Sequence, residues 1–270
     1  YDSKYDAGNA DGFFKNMDKN SNGSISMDEF KKSKMESPYQ PSGTSILNAI
    51  QEATNNKGLI TYDPRAENLS KDNIIIAVVG ENPYAEGIGD NPTIGLSSFD
   101  KNILEKCYAS GSQIVVVILS GRPLIIEDHI SKWNGLIAAW LPGMAGEGVS
   151  DVLFGDYSPT AKLSFSWPRN TDQLPLNEGD QNYDPLFPFG HGLSYTTFKY
   201  SNLRAIPPKG MSSVAAFELD IENAGDIAGK EIVQGYVRVS DSQIDRPQKE
   251  LKKFDKIYLE PGESKKIQFE

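Results

Sequence analysis

Cysteine, histidine and long apolar runs are scarce in this chain of 270 residues, and each scarcity excludes a class of protein. The one cysteine, Cys107, rules out a disulfide within the chain, and we predict it to be an ordinary buried thiol on a helix. The two histidines, His129 and His191, have no acidic or cysteine neighbours at metal-ligand spacing. No apolar run approaches the roughly eighteen residues that a membrane span needs.

Basic residues are also in short supply. Lys plus Arg number 27 against 37 Asp plus Glu, which gives a net charge of −10. This balance argues against nucleic acid and against an anionic membrane as partners, and favours neutral polar ligands or cations. Residues 1–4 do not resemble the start of a signal peptide, so we expect any targeting sequence to have been removed. A hydrophobic content of 38% with 10% aromatics is enough for real cores, and the length suits two ordinary domains.

One polar segment near the start has strict internal order. Residues 18–29 resemble an EF-hand calcium loop, with oxygen side chains at loop positions one, three and five, Gly23 at six, an apolar residue at eight and Glu29 at twelve. The alternate residues turn their oxygens inward, Gly23 permits the sharp bend, and the position-seven residue offers its backbone carbonyl. The predicted metal ligands are Asp18, Asn20, Asn22, Ser24, Ser26 and Glu29.

The flanking residues 10–17 and 27–35 carry apolar side chains at helical spacing, as the helices beside such a loop should. Only Asp18 and Glu29 bring formal charge, so we expect weak calcium affinity and a structural role, suited to calcium-rich extracellular fluid. The alternative to a calcium loop is an ordinary solvent-exposed turn rich in Asn and Ser.

From residue 42 the pattern alternates between helices and strands. A helix is predicted over residues 45–55, capped by residues 42–44, and a short strand over 58–62. Residues 73–80, 114–119 and 136–140 are predicted to be buried strands. A helix is predicted between the first two, at 97–110, with Phe99, Ile103, Leu104 and Cys107 inside. Another is predicted at 149–154, after a turn at 141–148. This order predicts a mainly parallel sheet flanked by helices, an α/β fold.

The first of these strands runs into an acidic loop. Residues 81–90 contain three carboxylates and a tyrosine among glycines. Ligand sites in open α/β sheets lie beyond the carboxyl ends of the strands, so this loop is the candidate functional site. Glu86 lies near its apex, where it could reach across a domain boundary. Glu81 follows the strand directly and is expected to be held within the structure. Two alternatives stay open, that Glu86 is a solvated loop residue and that Asp90 is a structural hydrogen-bonding group.

The last third of the chain has a different pattern. Residues 155–200 are rich in Pro, Gly and aromatics, and are predicted to wrap the fold. Residues 217–222, 232–239 and 265–269 alternate in the two-residue period of half-buried strands, which predicts a small β-sandwich. The lysine-rich residues 249–256 are predicted to be a solvated edge. The chain ends directly after a strand, so we expect the sandwich domain to continue.

Five motifs, in order, resemble the second half of glycoside hydrolase family 3, the β-glucosidases and exo-acting β-glucanases. They are GENPYAE with Gly89-Asp90, SGRP at 120–123, AWLPG at 139–143, DVLFGDY at 151–157 and PFGHGLSY at 188–195. The resemblance implies an α/β-sandwich domain over residues 42–195 and a fibronectin type III-like β-sandwich over residues 196–270. It also implies that these pack with an N-terminal (β/α)-barrel of the same protein. Residues 1–41, the EF-hand-like segment, depart from the family pattern and look like an insertion.

The resemblance also assigns roles to residues. It implies that Glu86 is the acid/base of a retaining β-glucosidase acting on terminal β-D-glucosyl residues, while the nucleophile is an Asp on the barrel. We predict that Glu81, Tyr84 and Asp90 bind substrate. Arg122 is predicted to anchor a loop, and Trp140 to belong to the core.

The implied partners are β-glucosides or β-glucan oligosaccharides, and the implied location is secreted or periplasmic. Two alternatives stay open: a non-catalytic, calcium-stabilised sugar-binding module, and a calcium switch.

Overall fold

The computed structural model describes residues 18–22, 24, 26, 28–29, 43–55, 60–84, 87, 89–208, 216–239, 243–244 and 246–270. The chain divides into two compact units, Tyr1–Thr44 and Ser45–Glu270. In the first unit, Asp28 and Glu29 are helical. The rest of the predicted helices at 10–17 and 27–35 lies outside the described residues.

A parallel sheet forms the centre of the second unit. Its strands are β1 (Ile74–Gly80), β2 (Gln113–Leu119) and β3 (Gly135–Trp140), in the order β1-β2-β3. Both pairings are parallel, and Ala77, Val116 and Leu136 lie side by side across them. The predicted parallel sheet is therefore confirmed. Its three strands point their carboxyl ends in the same direction.

In the described residues, one helix precedes β1, one lies between β1 and β2, one lies between β2 and β3, and one follows β3. They are α1 (Ile46–Ala53), α2 (Ser98–Ser110), α3 (Glu127–Ile130) and α4 (Gly146–Phe154). Ser45 caps α1 by accepting a hydrogen bond from the Asn48 N–H, and Ser97 caps α2 in the same way through the Asp100 N–H. Gly111 and Gly155 end α2 and α4 in the left-handed conformation that glycine adopts without strain.

Several local predictions were wrong. The cap of α1 is Ser45 rather than residues 42–44, and the short helix α3 was not predicted. Residues 60–62 do not form a strand, while residues 58 and 59 of that predicted strand lie outside the described part. Phe99 was expected inside, yet it is 63% exposed: it lies in the first turn of α2, whereas the buried residues of that helix are Leu104 and Cys107.

The main hydrophobic core lies between one face of the sheet, α2 and the wrapping segment. Ala77, Val79 and Ile118 from the sheet pack with Leu104 and Cys107 of α2, which confirms that the thiol is buried. The core also takes in Trp167 from the wrapping segment, whose indole N–H donates to the Leu124 carbonyl oxygen at 2.8 Å. Trp140 packs against this core, with its ring 5.8 Å from that of Trp167.

The C-terminal part is built from two antiparallel sheets. Their strands are β4 (Phe198–Ile206), β5 (Ala216–Asn223), β6 (Gly229–Val237), β7 (Glu250–Leu259) and β8 (Ser264–Phe269). One sheet has the order β4-β5-β8 and the other pairs β6 with β7. Residues from both sheets, including Leu219, Ile221, Val233 and Leu259, form one core. This is the predicted β-sandwich, with β4 beginning inside the segment predicted to wrap.

The lysine-rich residues 249–256 overlap β7, which pairs with β6 along its length. Most of this stretch is exposed, as predicted for a solvated edge. Asn223 at the end of β5 is fully buried, and its side-chain amide donates to the Ile227 and Leu259 carbonyl oxygens at 2.9 and 3.0 Å. The Asn223 side chain therefore holds the turn after β5 against the end of β7.

Candidate active site

Three loops begin where the three parallel strands end. They are residues 81–90 after β1, 120–126 after β2 and 141–145 after β3. Backbone hydrogen bonds continue past the strands, because the Glu81 N–H donates to the Leu119 carbonyl at 2.9 Å and the Ser120 N–H to the Trp140 carbonyl at 3.1 Å. The first residues of the loops are thus held in register at one edge of the sheet.

Glu81 is the first residue after β1, and both of its carboxylate oxygens accept hydrogen bonds. The Arg122 guanidinium donates from Nη2 at 2.6 Å and from Nε at 3.0 Å to Oε1. The Ser120 hydroxyl donates to Oε2 at 2.5 Å. This two-pronged contact uses the planar fork that distinguishes arginine from lysine. Glu81 therefore joins the end of β1 to the loop after β2.

Arg122 also reaches the far end of the 81–90 loop. Its Nη1 donates to the Gly89 carbonyl oxygen at 2.8 Å, and its guanidinium lies 4.5 Å from the centre of the Tyr84 ring. Arg122 was predicted to anchor a loop, and these contacts confirm it. We name the contacts of Arg122 with Glu81, Tyr84 and Gly89 the arginine clamp. The clamp fixes both ends of a loop whose middle contains Glu86.

The charge state of Glu81 follows from this arrangement. Burial by itself would raise the pKa of the Glu81 carboxyl, but the hydrogen bonds from Arg122 and Ser120 and the positive charge of Arg122 outweigh burial and lower that pKa. The same contact raises the pKa of Arg122 further, chiefly through its hydrogen bond to Glu81. Glu81 is accordingly a stable carboxylate, and not a proton donor at neutral pH.

The other predicted site residues lie near the clamp. Tyr84 is 42% exposed, and Asp90 is exposed with its N–H donating to the Gly87 carbonyl at 3.2 Å. Glu86, the predicted acid/base, lies outside the described residues. Whether these residues bind substrate stays a prediction. The structure brings Glu81, Tyr84 and the Gly89–Asp90 end of the loop together around Arg122.

Ser120 also contacts Glu81 and Arg122, although the sequence pattern did not single it out. It is 2% exposed, and its hydroxyl both donates to Glu81 and accepts from the Arg122 N–H at 3.1 Å. The available signal was positional, since Ser120 follows β2 as Glu81 follows β1. Residues that directly follow neighbouring parallel strands lie close together, because those strands end at the same edge of the sheet.

The surface beside the clamp is partly apolar. A Cβ built on Gly121 would lie 3.2 Å from the Tyr84 hydroxyl oxygen and 3.6 Å from Cδ1 of Leu141, so these two side chains converge over the glycine. Leu141 is 75% exposed, and Met144 on the same loop is also exposed. Exposed apolar side chains beside a polar loop are typical of a surface that another domain or a ligand covers.

In the described residues, no three His, Cys, Asp or Glu side chains come together as metal ligands. The candidate calcium loop brings two carboxylates, Asp18 and Glu29, with its other predicted ligands being amide, hydroxyl and carbonyl oxygens. Among the helices of the described part, none is long and apolar enough to cross a membrane.

Comparison with protein families gives two matches along the chain. Residues 9–195 match the glycosyl hydrolase family 3 C-terminal domain, and residues 231–270 match the fibronectin type III-like domain. The first match runs through residues 18–29, and their interpretation as an insertion stays a prediction.

Curated relatives agree with this family. The periplasmic β-glucosidase of Salmonella typhimurium is 30% identical over 271 aligned positions, which cover 84% of this chain and 35% of that protein. A β-xylosidase of Formosa agariphila is 35% identical, over 72% of this chain and 29% of that protein. The chain thus spans about a third of the length of the curated relatives that it matches.

Solved structures share the fold. The β-glucosidase of Listeria innocua in complex with isofagomine superposes with a TM-score of 0.70 at 26% identity, over 84% of this chain and 36% of that one. The β-glucosidase from Erythrobacter marinus gives a TM-score of 0.71 at 27% identity, over 86% and 38%. The parallel sheet with its helices, the antiparallel sheets that follow and these matches together place the chain in glycoside hydrolase family 3.

Proposed function

We propose that this chain is the C-terminal part of a retaining, exo-acting β-glucosidase, in which Glu86 is the acid/base. The observation that carries the proposal is the arginine clamp, because it fixes both ends of the loop in which Glu86 lies. A loop held at both ends can present a carboxyl group to a substrate in a defined position. Membership of the family and the names of its relatives give the reaction class.

Retaining hydrolysis needs two carboxyl groups roughly 5 Å apart. Glu86 would protonate the glycosidic oxygen as the bond to the leaving group breaks, and would then take a proton from the water that releases the sugar. The nucleophile is proposed to be an Asp on a barrel domain of the same protein. The length of the relatives, of which this chain spans about a third, supports a further domain.

The surface around Arg122 suits the other half of such a site. Tyr84 offers an exposed aromatic face and Asp90 an exposed carboxylate, which are groups that commonly contact sugar rings and their hydroxyls. Glu81 is engaged by Arg122 and Ser120, so its proposed contribution to substrate binding is through the position of Tyr84 and the loop. Leu141 and Met144 would be covered when the barrel is in place.

A terminal β-D-xylosyl residue is the second candidate substrate. The relative in Formosa agariphila that is 35% identical over 72% of this chain is named a β-xylosidase. Glucose differs from xylose by its hydroxymethyl group, so the relative kcat/KM on aryl β-glucoside and aryl β-xyloside distinguishes the two. We also propose a secreted or periplasmic location, which the name of the Salmonella relative supports.

The decisive experiment uses this chain joined to its barrel domain. Glu86→Gln should lower kcat on methyl β-D-glucoside by about 10²- to 10⁴-fold, because that leaving group needs a proton. On 2,4-dinitrophenyl β-D-glucoside the bond breaks without protonation, and added azide should restore turnover and yield β-glucosyl azide. Glu52→Gln, the same change at an exposed position of α1, is the matched control and should leave both activities unchanged.

Unchanged activity of the Glu86→Gln enzyme on methyl β-D-glucoside would refute the acid/base assignment. A chain that binds glucose or short β-glucans at millimolar or tighter affinity in calorimetry, without any barrel, would instead favour the non-catalytic binding module.

A further inference from the structure

The segment from Asp18 to Glu29 has no part in the proposed hydrolysis, yet its residue order is specific. Oxygen-bearing side chains occupy the first, third, fifth, seventh, ninth and twelfth positions of twelve. A solvated turn requires oxygen-bearing residues but no fixed spacing, whereas a calcium loop requires both. The described members are Asp18, Asn20, Asn22, Ser24, Ser26 and Glu29.

The structure brings the two ends of this loop together. The Asn20 N–H donates to Oε1 of Glu29 at 3.2 Å across nine residues, and the Ser26 N–H and hydroxyl donate to Oε2 at 3.0 and 2.7 Å. At the other end, the Asn22 N–H donates to Oδ1 of Asp18 at 3.1 Å. The backbone therefore curls around the two carboxylates.

Both carboxylates are taken out of solvent. Asp18 is 7% exposed and Glu29 is 8% exposed, whereas the neighbouring Asp28 is exposed. Within the described part, no Lys, Arg or His forms an ion pair with Glu29. Carboxylates at the first and twelfth positions are the charged ligands of such a calcium loop, and here both are buried within the loop.

We propose that this loop binds one Ca²⁺ ion. Asp18, Asn20, Asn22 and Ser26 supply side-chain oxygens, Ser24 its backbone carbonyl, and Glu29 both carboxylate oxygens. A ligand set made only of oxygens, with a carboxylate that can bind through both atoms, suits Ca²⁺ better than the smaller and more strictly octahedral Mg²⁺. Because the set holds two formal charges, the expected Kd is about 10⁻⁴ to 10⁻³ M, the range of extracellular modules.

The first test is calorimetric titration of the 270-residue chain with CaCl₂ after treatment with EDTA and dialysis. The expected result is one site per chain, with Mg²⁺ at the same concentrations giving no comparable heat. Glu29→Gln should weaken Ca²⁺ binding by about tenfold or more, since it replaces a charged carboxylate that provides two oxygens with a neutral amide that provides one. Asp28→Asn removes the same charge from the adjacent exposed position and should change Kd less than about twofold.

Two substitutions that add a carboxylate, one at a ligand position and one beside it, test the proposal even if Glu29→Gln fails to fold. Asn20→Asp places a third carboxylate at a ligand position and should tighten Ca²⁺ binding by about tenfold. Ser21→Asp adds the same charge at position four, which is not a ligand position, and tolerates the left-handed conformation found there, where φ is 56°. The absence of any Ca²⁺ heat at millimolar concentration would overturn the proposal. Equal effects of Asn20→Asp and Ser21→Asp would also overturn it, because only bulk charge would then be responsible.

Discussion

Arg122 and Glu81 lie 2.6 Å apart, measured from Nη2 to Oε1, and they join the first turns beyond two neighbouring parallel strands. Their side chains are 25% and 14% exposed, so the pair is partly screened from water. The same guanidinium donates to the Gly89 carbonyl. A single side chain therefore connects the sheet to both ends of the loop that carries the proposed acid/base.

Removing this guanidinium should weaken both fold and activity. Arg122→Ala leaves Glu81 and the Gly89 carbonyl without their donors, and should lower the free energy of unfolding by about 2 kcal/mol, measured by urea denaturation of the chain. In the complete enzyme, kcat on methyl β-D-glucoside should fall more than kcat on an activated aryl glucoside, since a displaced Glu86 impairs protonation of the leaving group.

Two further variants control this prediction. Arg122→Lys keeps the charge but loses the planar fork, and should recover only part of the stability. Arg65→Ala removes an exposed guanidinium from the same unit and should change the free energy of unfolding by less than about 0.5 kcal/mol. Equal losses in Arg65→Ala and Arg122→Ala would contradict the clamp.

The lowered pKa of Glu81 predicts a pH dependence with a definite sign. Its pKa in the folded chain lies below its usual value of 4.5, so the unfolded chain binds more protons at acid pH. The stabilisation by the ionised Glu81 is complete above about pH 5 and is lost as the pH falls through the folded pKa. The difference in free energy of unfolding between the wild type and Glu81→Gln should therefore be constant from about pH 7 to 5 and shrink below that.

An Arg122→Ala background supplies the control for this titration. Without the guanidinium, the pKa of Glu81 returns toward its usual value, so the effect of Glu81→Gln should be smaller at neutral pH and nearly independent of pH. A difference that grows with acidity in the wild-type background would show the wrong sign and refute the assignment.

Two glycines of one helix should respond in opposite ways to alanine. A Cβ on Gly146, at the start of α4, would lie 2.5 Å from the Ser45 carbonyl carbon and 2.6 Å from the Ile46 nitrogen, which are backbone atoms at the start of α1. Gly146→Ala should thus force the two helices apart and destabilise the chain by about 2 kcal/mol or more. A Cβ on Gly148 would meet nothing within 4 Å.

Gly148→Ala should therefore be neutral or stabilise the chain by up to about 1 kcal/mol, because alanine is the better helix former. Thermal unfolding of both variants, followed by circular dichroism, compares them directly. A similar loss in both would mean that α1 and α4 do not approach closely at Gly146.

The parts of the fold that were predictable are those with a strong local pattern. The apolar runs of β1 and β2 lack alternation, which predicts strands of a parallel sheet. Each run is followed by a polar residue at a glycine turn, which predicts the edge of the sheet where the candidate site lies. Residues 60–62 carry a similar local pattern but form no strand, because strand formation depends on a neighbour and, in the described part, β1 pairs with β2 alone.

The site was predictable only where its residues directly follow a strand. The carboxylates after β1 and the anchoring role of Arg122 followed from strand ends. The hydrogen bond from Arg122 to the Gly89 carbonyl did not, because it spans 33 residues and its acceptor is a backbone oxygen that no side-chain pattern reveals. Ser120 was missed for a related reason, since a serine after a strand is common and its value here depends on Glu81 lying opposite.

Trp167 provides the last prediction, which tests how the wrapping segment is fastened to the α/β core. Its ring is 2% exposed, and its N–H donates to the carbonyl of Leu124, a residue that is itself fully buried. Trp167→Phe would leave a cavity and an unpaired buried carbonyl, and should cost about 2–4 kcal/mol of unfolding free energy, measured by urea denaturation.

Trp133→Phe is the matched variant, because the Trp133 indole N–H also donates a hydrogen bond, to the Tyr108 hydroxyl at 2.9 Å, but its side chain is only half-buried. It should cost about 1 kcal/mol, since water can replace the lost partner. If the two substitutions cost the same, the wrapping segment would not depend on the Trp167 contact. A larger loss for Trp167→Phe would show that this segment contributes to the stability of the sheet that carries the arginine clamp.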